Sequence, residues 1–211
     1  LVKNSDKIVS AVWNVFSECG KIIIVVSGDI AFSGKDEQYG YAKEFFRALL
    51  RAFAEKNLLN TELENKIVCV PGNHDCNFDN EESPRKMLLP SIRLNAGSID
   101  QNVFNLVSSV QNEYESFAKD IMNDKGFTRS INSNLIIKAG DKTVLFRLYN
   151  TAWMSTLKEA QNSIVMPTNL FVNEDCDADL VISVFHHYYS WITPECDNNK
   201  NRFRQHIMHS S

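Results

Sequence analysis

Three short stretches carry side chains whose types suit metal or phosphate chemistry. Ser27-Gly28-Asp29-Ile30-Ala31-Phe32-Ser33-Gly34 supplies a carboxylate. Pro71-Gly72-Asn73-His74-Asp75 supplies an amide oxygen, an imidazole and a second carboxylate, and Phe185-His186-His187 supplies two imidazoles. Oxygen and imidazole donors without thiolates suit Mn²⁺, Fe or Zn²⁺ better than a structural cysteine–zinc site. Taken singly, each stretch has a plain structural explanation. A Gly-Asp pair is commonly a turn, Asn-His-Asp is an ordinary loop, and His-His is an ordinary strand end. Their succession at three strand ends is the signal.

The elements that must position these residues read as α/β. Ser5-Asp6 caps a helix whose apolar positions Ile8, Val12, Val15, Phe16 and Cys19 follow a 3-4 rhythm, with Gly20 ending it. Residues 21–27 form a β-branched run without polar alternation, as in a strand covered on both faces. Ala42, Phe45, Phe46, Leu49, Leu50 and Phe53 mark a long amphipathic helix over about 36–57, and 67–70 is a second buried strand stopped by Pro71-Gly72. Residues 77–100 are polar and read as a variable insertion with a short helical piece. Phe104, Val107, Val110, Tyr114, Phe117 and Ile121 mark one further helix. Residues 135–137 and 143–149 read as an antiparallel hairpin, 179–185 as a third buried strand, and 199–209 as a last helix. Ligands of such folds sit beyond the carboxyl ends of the strands, where the three stretches lie.

Composition narrows the function classes. The 211 residues are 44% apolar with a net charge of −4, so the chain supports a core and shows no basic stripe for duplex binding. No apolar run approaches a membrane span, and no signal-peptide pattern stands at Leu1. Five cysteines, Cys19, Cys69, Cys76, Cys176 and Cys196, are odd in number and without a C-x-x-C pair, which reads as reduced thiols of a cytoplasmic protein.

In order and in spacing, the three stretches resemble the calcineurin-like metallophosphoesterases, whose motifs run D-x-H, G-D, G-N-H-[DE], H and G-H-x-H. Gly28-Asp29 matches the second, Gly72-Asn73-His74-Asp75 the third, and His186 the fourth, with Tyr188 where proline is usual. The resemblance implies an α/β sandwich of two mixed β-sheets flanked by helices, with the strands at 22–27, 67–70 and 180–185 in one sheet. It implies two divalent ions (Mn, Fe or Zn) with Asp29 bridging them and Asn73 and His186 as ligands of one. It implies His74 as a catalytic non-ligand facing the leaving group or a phosphate oxygen, and Asp75 as the acceptor of its other N–H. His187 either touches substrate or packs.

No D-x-H precedes Gly28 and no G-H-x-H follows His186. The chain is therefore read as a single domain, 1–211, cut at both ends, with an incomplete metal centre and no activity by itself, and with room for a further domain after residue 211. His206 and His209 could pair at i, i+3, but a helix face explains them. Asn150-Thr-Ala-Trp153 could approach the pocket, though a turn explains it equally well. The function implied is phosphoester hydrolysis by in-line attack of a metal-bound hydroxide, on a phosphodiester of nucleotide type. A nuclease of the same superfamily and a catalytically silent binding module are the alternatives. The partners expected are a phosphoester or nucleotide substrate, with no membrane and no dedicated nucleic-acid surface.

Overall fold

The computed structural model describes residues 4–16, 21–56, 67–95, 99–124, 126–172, 177–195 and 198–209. Helix α1 (Ser5–Phe16) leads to strand β1 (Ile24–Val26), helix α2 (Asp36–Glu55) and strand β2 (Ile67–Cys69). Helices α3 (Ser83–Leu94), α4 (Gln101–Val107) and α5 (Asn112–Ile121) follow. Strands β3 (Asn132–Ala139), β4 (Lys142–Tyr149) and β5 (Leu180–Val184) precede helix α6 (Asn199–His209).

The architecture is an α/β sandwich of two sheets with helices outside. In one sheet β1 and β2 pair in parallel. In the other β3 and β4 form an antiparallel hairpin and β5 runs parallel to β4, so this sheet is mixed. The strand at 180–184 therefore does not share a sheet with β1 and β2, as the sequence led us to expect. It lies opposite them: Val68 and Val70 pack against Phe146, Leu148 and Val184 between the sheets. A run covered on both faces reads the same in either layer, which is why periodicity could not assign the partner. Val25 is 44% exposed, so β1 is less covered than its apolar run suggests.

Helices α2 and α5 cover the outer face of the parallel pair through Tyr39, Ala42, Phe46, Tyr114 and Phe117, which pack with Ile67 and Cys69. Helix α1 docks on α2 through Val9, with Ile8 and Val15 exposed, so the buried face is turned from the one the 3-4 rhythm suggested. The segment read as a variable insertion is core. Leu89 and Ile92 of α3 join Phe104, Trp153, Met166 and Phe203, and the guanidinium of fully buried Arg85 donates to the Val107 and Ser155 carbonyls. The single helix expected over 104–121 is two, parted by a 3₁₀ turn at Ser108–Gln111. Among the described residues no helix is long and apolar enough to cross a membrane.

Candidate metal centre at three strand ends

The parallel pairing of β1 and β2 brings their exits together, since Val26 sits beside Cys69 and the Val70 N–H donates to the Val26 carbonyl at 3.1 Å. From the facing sheet β5 delivers His186 to the same point. Its Nδ1 lies 2.8 Å from the Ser27 carbonyl, and its Nε2 lies 3.1 Å from Asn73 Oδ1 and 3.5 Å from Asp29 Oδ1. Both strands that end here bring a glycine where nothing larger fits. A Cβ on Gly28, which sits at φ +100°, would stand 2.5 Å from His186 Nδ1. A Cβ on Gly72 would run into the Asp29 carboxylate. Asp29 itself holds φ +57°, a left-handed conformation that costs a non-glycine residue about 1–2 kcal/mol and that recurs at functional sites.

The chemistry of this donor set fits a cation. The Ser27 carbonyl can only accept, so Nδ1 of His186 carries a proton, and in the neutral ring the lone pair of Nε2 faces Asn73 Oδ1 and Asp29 Oδ1. A backbone carbonyl that fixes a tautomer in this way is what metal-bound histidines usually have. Three electron-rich atoms facing one another repel unless a positive charge lies among them. Asp29, Asn73 and His186 thus fit one divalent ion with oxygen and nitrogen ligands. Among the described residues there is no cluster of three or more His, Cys, Asp or Glu able to hold a metal, because the third donor here is an asparagine.

His74 is exposed, and its Nδ1 lies 2.8 Å from the Phe32 carbonyl, so Nδ1–H donates there and Nε2 is left for a ligand. The Phe32 ring stacks on it, 78% exposed, with centroids 5.6 Å apart. The His74 backbone N–H donates to Asp29 Oδ1 at 3.1 Å. Asp75 does not take the other N–H of His74, as expected from the sequence. Its carboxylate, fully buried, accepts from the N–H groups of Ala31 (2.8 Å), Gly72 (2.8 Å) and Ile30 (3.3 Å) and from the Tyr39 hydroxyl (3.1 Å). The 3₁₀ turn at Asn73–Asp75 sends the two neighbouring side chains in different directions, so adjacency in sequence did not mean contact. Burial pushes the Asp75 carboxyl above its ordinary range, against the pull of the backbone N–H groups of Gly72, Ala31 and Ile30. Burial and the neighbouring Asp75 push the Tyr39 phenol up as well, which keeps it a donor.

His187 is buried. Its backbone N–H donates to Thr151 Oγ1 at 2.9 Å, and its ring Nε2 lies 3.0 Å from Glu159 Oε2, while the ring meets that of His186 edge-on at 4.8 Å. Burial pushes the Glu159 carboxyl up, but hydrogen bonds from His187, Ser155 and the Thr156 main chain, with the charge of His187, together hold it below the usual range. Thr151 reaches His187 because β4 and β5 are parallel neighbours, in register up to Leu148 beside Val184. Of the stretch 150–153, Thr151 therefore supports the site, whereas Asn150 pairs with Gln111. Glu159 was invisible to sequence reading, since it lies in a loop without pattern. Ser33 binds Gln38, which ties the loop after Asp29 to α2. His206 packs on Phe171 at 4.6 Å, and its expected pairing with His209 falls on a side chain outside the described residues. Cys69 and Cys76 are free and buried, and burial pushes both thiols up to about 12. Cys19, Cys176 and Cys196 lie outside the described residues.

A profile of the calcineurin-like phosphoesterases matches residues 4–205. No curated protein and no solved structure matches the chain.

Proposed function

The chain belongs to the calcineurin-like phosphoesterase family, a family of metal-dependent phosphoester hydrolases, and from that premise we propose a phosphodiesterase acting on a nucleotide-type substrate. The observation that carries the reading is the convergence of Asp29, Asn73 and His186, with the Nε2 of His186 turned inward by the Ser27 carbonyl. These three would hold one divalent ion, Mn, Fe or Zn by donor type, and Asp29 would be shared with a second. Such ions supply positive charge to a phosphoryl group and acidify water near neutral pH.

The remaining residues do work of their own. His74 has its Nδ1–H held by the Phe32 carbonyl and its ring stacked on Phe32. When the ring carries its second proton, it presents Nε2–H to the departing oxygen or a phosphate oxygen, and that is the proton it can give up. A proton delivered there to the leaving group typically contributes ~10²–10⁴ in rate. Asp75 fixes the loop after β1 to the loop after β2, which keeps His74 and Asp29 in one frame.

The test is metal analysis beside turnover in the full-length protein with Mn²⁺, using bis(4-nitrophenyl) phosphate and a phosphodiester with an alkyl or ribose leaving group. Asp29→Asn removes the shared charge, so metal content and turnover fall together. His74→Ala removes no ligand, so metal stays while turnover falls ~10²–10⁴-fold on the alkyl ester and less on the nitrophenyl ester, whose leaving group needs no proton. Loss of metal from His74→Ala would make it a ligand. Absence of hydrolysis by the wild type would favour a silent module.

A further inference from the structure

Beside the candidate metal centre, between the loop at 156–159 and the loop at 186–191, opens a cleft of about 380 Å³. Asn73 and His186 of the candidate metal centre line it. Leu157 and Tyr188, 80% and 72% exposed, stand on its rim, with Trp191 on the wall. The inner wall is the Glu159–His187 pair, with Glu159 held as the carboxylate. Among the described residues that line the cleft there is no lysine or arginine.

We propose that this cleft receives the uncharged planar group of a phosphoester that carries a single phosphate, with the phosphate at Asn73 and His186. The inference rests on the phosphoesterase reading above and names the class of substrate for the same site. Two features select the occupant. Exposed aromatic and aliphatic side chains next to a phosphate site cost solvation unless a ligand covers them, and a flat ring stacks on tyrosine or tryptophan whatever its sequence of atoms. A second phosphate would stand near the Glu159 carboxylate, already paired with His187, and no lysine or arginine lines the cleft to attract it, so nucleoside polyphosphates and polynucleotides fit poorly. A nucleoside and an aryl alcohol share the chemistry required.

The test is titration calorimetry of the full-length protein in Mn²⁺ with adenosine 5′-monophosphate, ribose 5-phosphate, adenosine 5′-diphosphate and phenyl phosphate. The monophosphate should bind about 10-fold more tightly than ribose 5-phosphate, the order of effect that stacking on an aromatic side chain supplies, and also more tightly than the diphosphate. Tyr188→Ala, at an exposed position that does not threaten folding, should erase the preference over ribose 5-phosphate. Phenyl phosphate equal to the nucleotide assigns an aryl substrate; weaker binding assigns a nucleoside. Equal affinity for ribose 5-phosphate, tighter binding of the diphosphate, or an unchanged preference in Tyr188→Ala overturns the proposal. The order of affinities and the presence of hydrolysis are separate readouts, so the two readings fail separately. Hydrolysis without this ligand order removes the cleft alone, and the ligand order without hydrolysis removes the phosphoesterase reading alone.

Discussion

Asp75→Ala tests whether the loops carrying Asp29 and His74 are locked by one buried carboxylate. The substitution takes away the acceptor of four donors. The Tyr39 hydroxyl keeps a second acceptor, the Asp75 main-chain carbonyl at 3.1 Å, and the Ile30 N–H is partly exposed, so neither loses its full value. The amides of Ala31 and Gly72 are left buried and unpaired. Each such donor costs about 1–3 kcal/mol. Against the resulting ~2–6 kcal/mol stands the relief of no longer burying a carboxylate, whose raised pKa shows that this burial is uphill. A net loss of about 3 kcal/mol follows, a large share of a stability that is typically 5–15 kcal/mol. At this chain length it lowers Tm by roughly 6–12 °C. The assay is thermal unfolding by circular dichroism, checked by the urea midpoint, with turnover measured on the same samples. Turnover should also fall, because Ile30 and Ala31 carry the Phe32 carbonyl on which His74 leans. A Tm within 2 °C of wild type, with turnover lost, would refute the clamp and return Asp75 to a direct partnership with His74.

The remaining predictions concern the neighbours of that clamp. Gly28→Ala puts a Cβ against His186 Nδ1 at a strained φ of +100°, so metal affinity should drop at least 10-fold, read by chelator competition. Unchanged affinity would show that the three loops can separate without harm. Glu159→Gln removes a carboxylate whose folded pKa lies below its ordinary value of 4.5. A depressed carboxyl stabilises the fold above its unfolded pKa and loses that contribution as pH falls through the folded value. The stability gap between wild type and Glu159→Gln should therefore be full at pH 6–7 and shrink below 4.5, followed by urea unfolding across pH. A gap that widens in acid would reverse the sign.

Much of the site was legible before any coordinates, and the reason is local. An apolar β-branched run makes a strand regardless of what surrounds it, and at two of the three a glycine marks a tight exit. Asp29, Asn73 and His186 could thus be placed beyond three strands from spacing alone. The hairpin and helices α2 and α6 were legible for the same reason: their signals lie within a few residues of one another. What the chain could not show along its length was pairing across distance. The third strand lies in the opposite sheet because its hydrogen-bond partner is β4, and apolar runs do not name their neighbours. Residues 77–100 read as polar, yet α3 is core: Glu81, four residues away, pairs with the Arg85 charge, and its remaining N–H groups reach the Val107 and Ser155 carbonyls, which only the folded chain brings near. Asp75 turned from a histidine partner into a loop clamp because a 3₁₀ turn set its direction. Glu159 entered the site from a patternless loop, held there by His187. The sequence determined which groups stand at the strand ends. The tertiary structure decided which of them touch, since hydrogen bonds between buried groups depend on three-dimensional register that no one-dimensional period encodes.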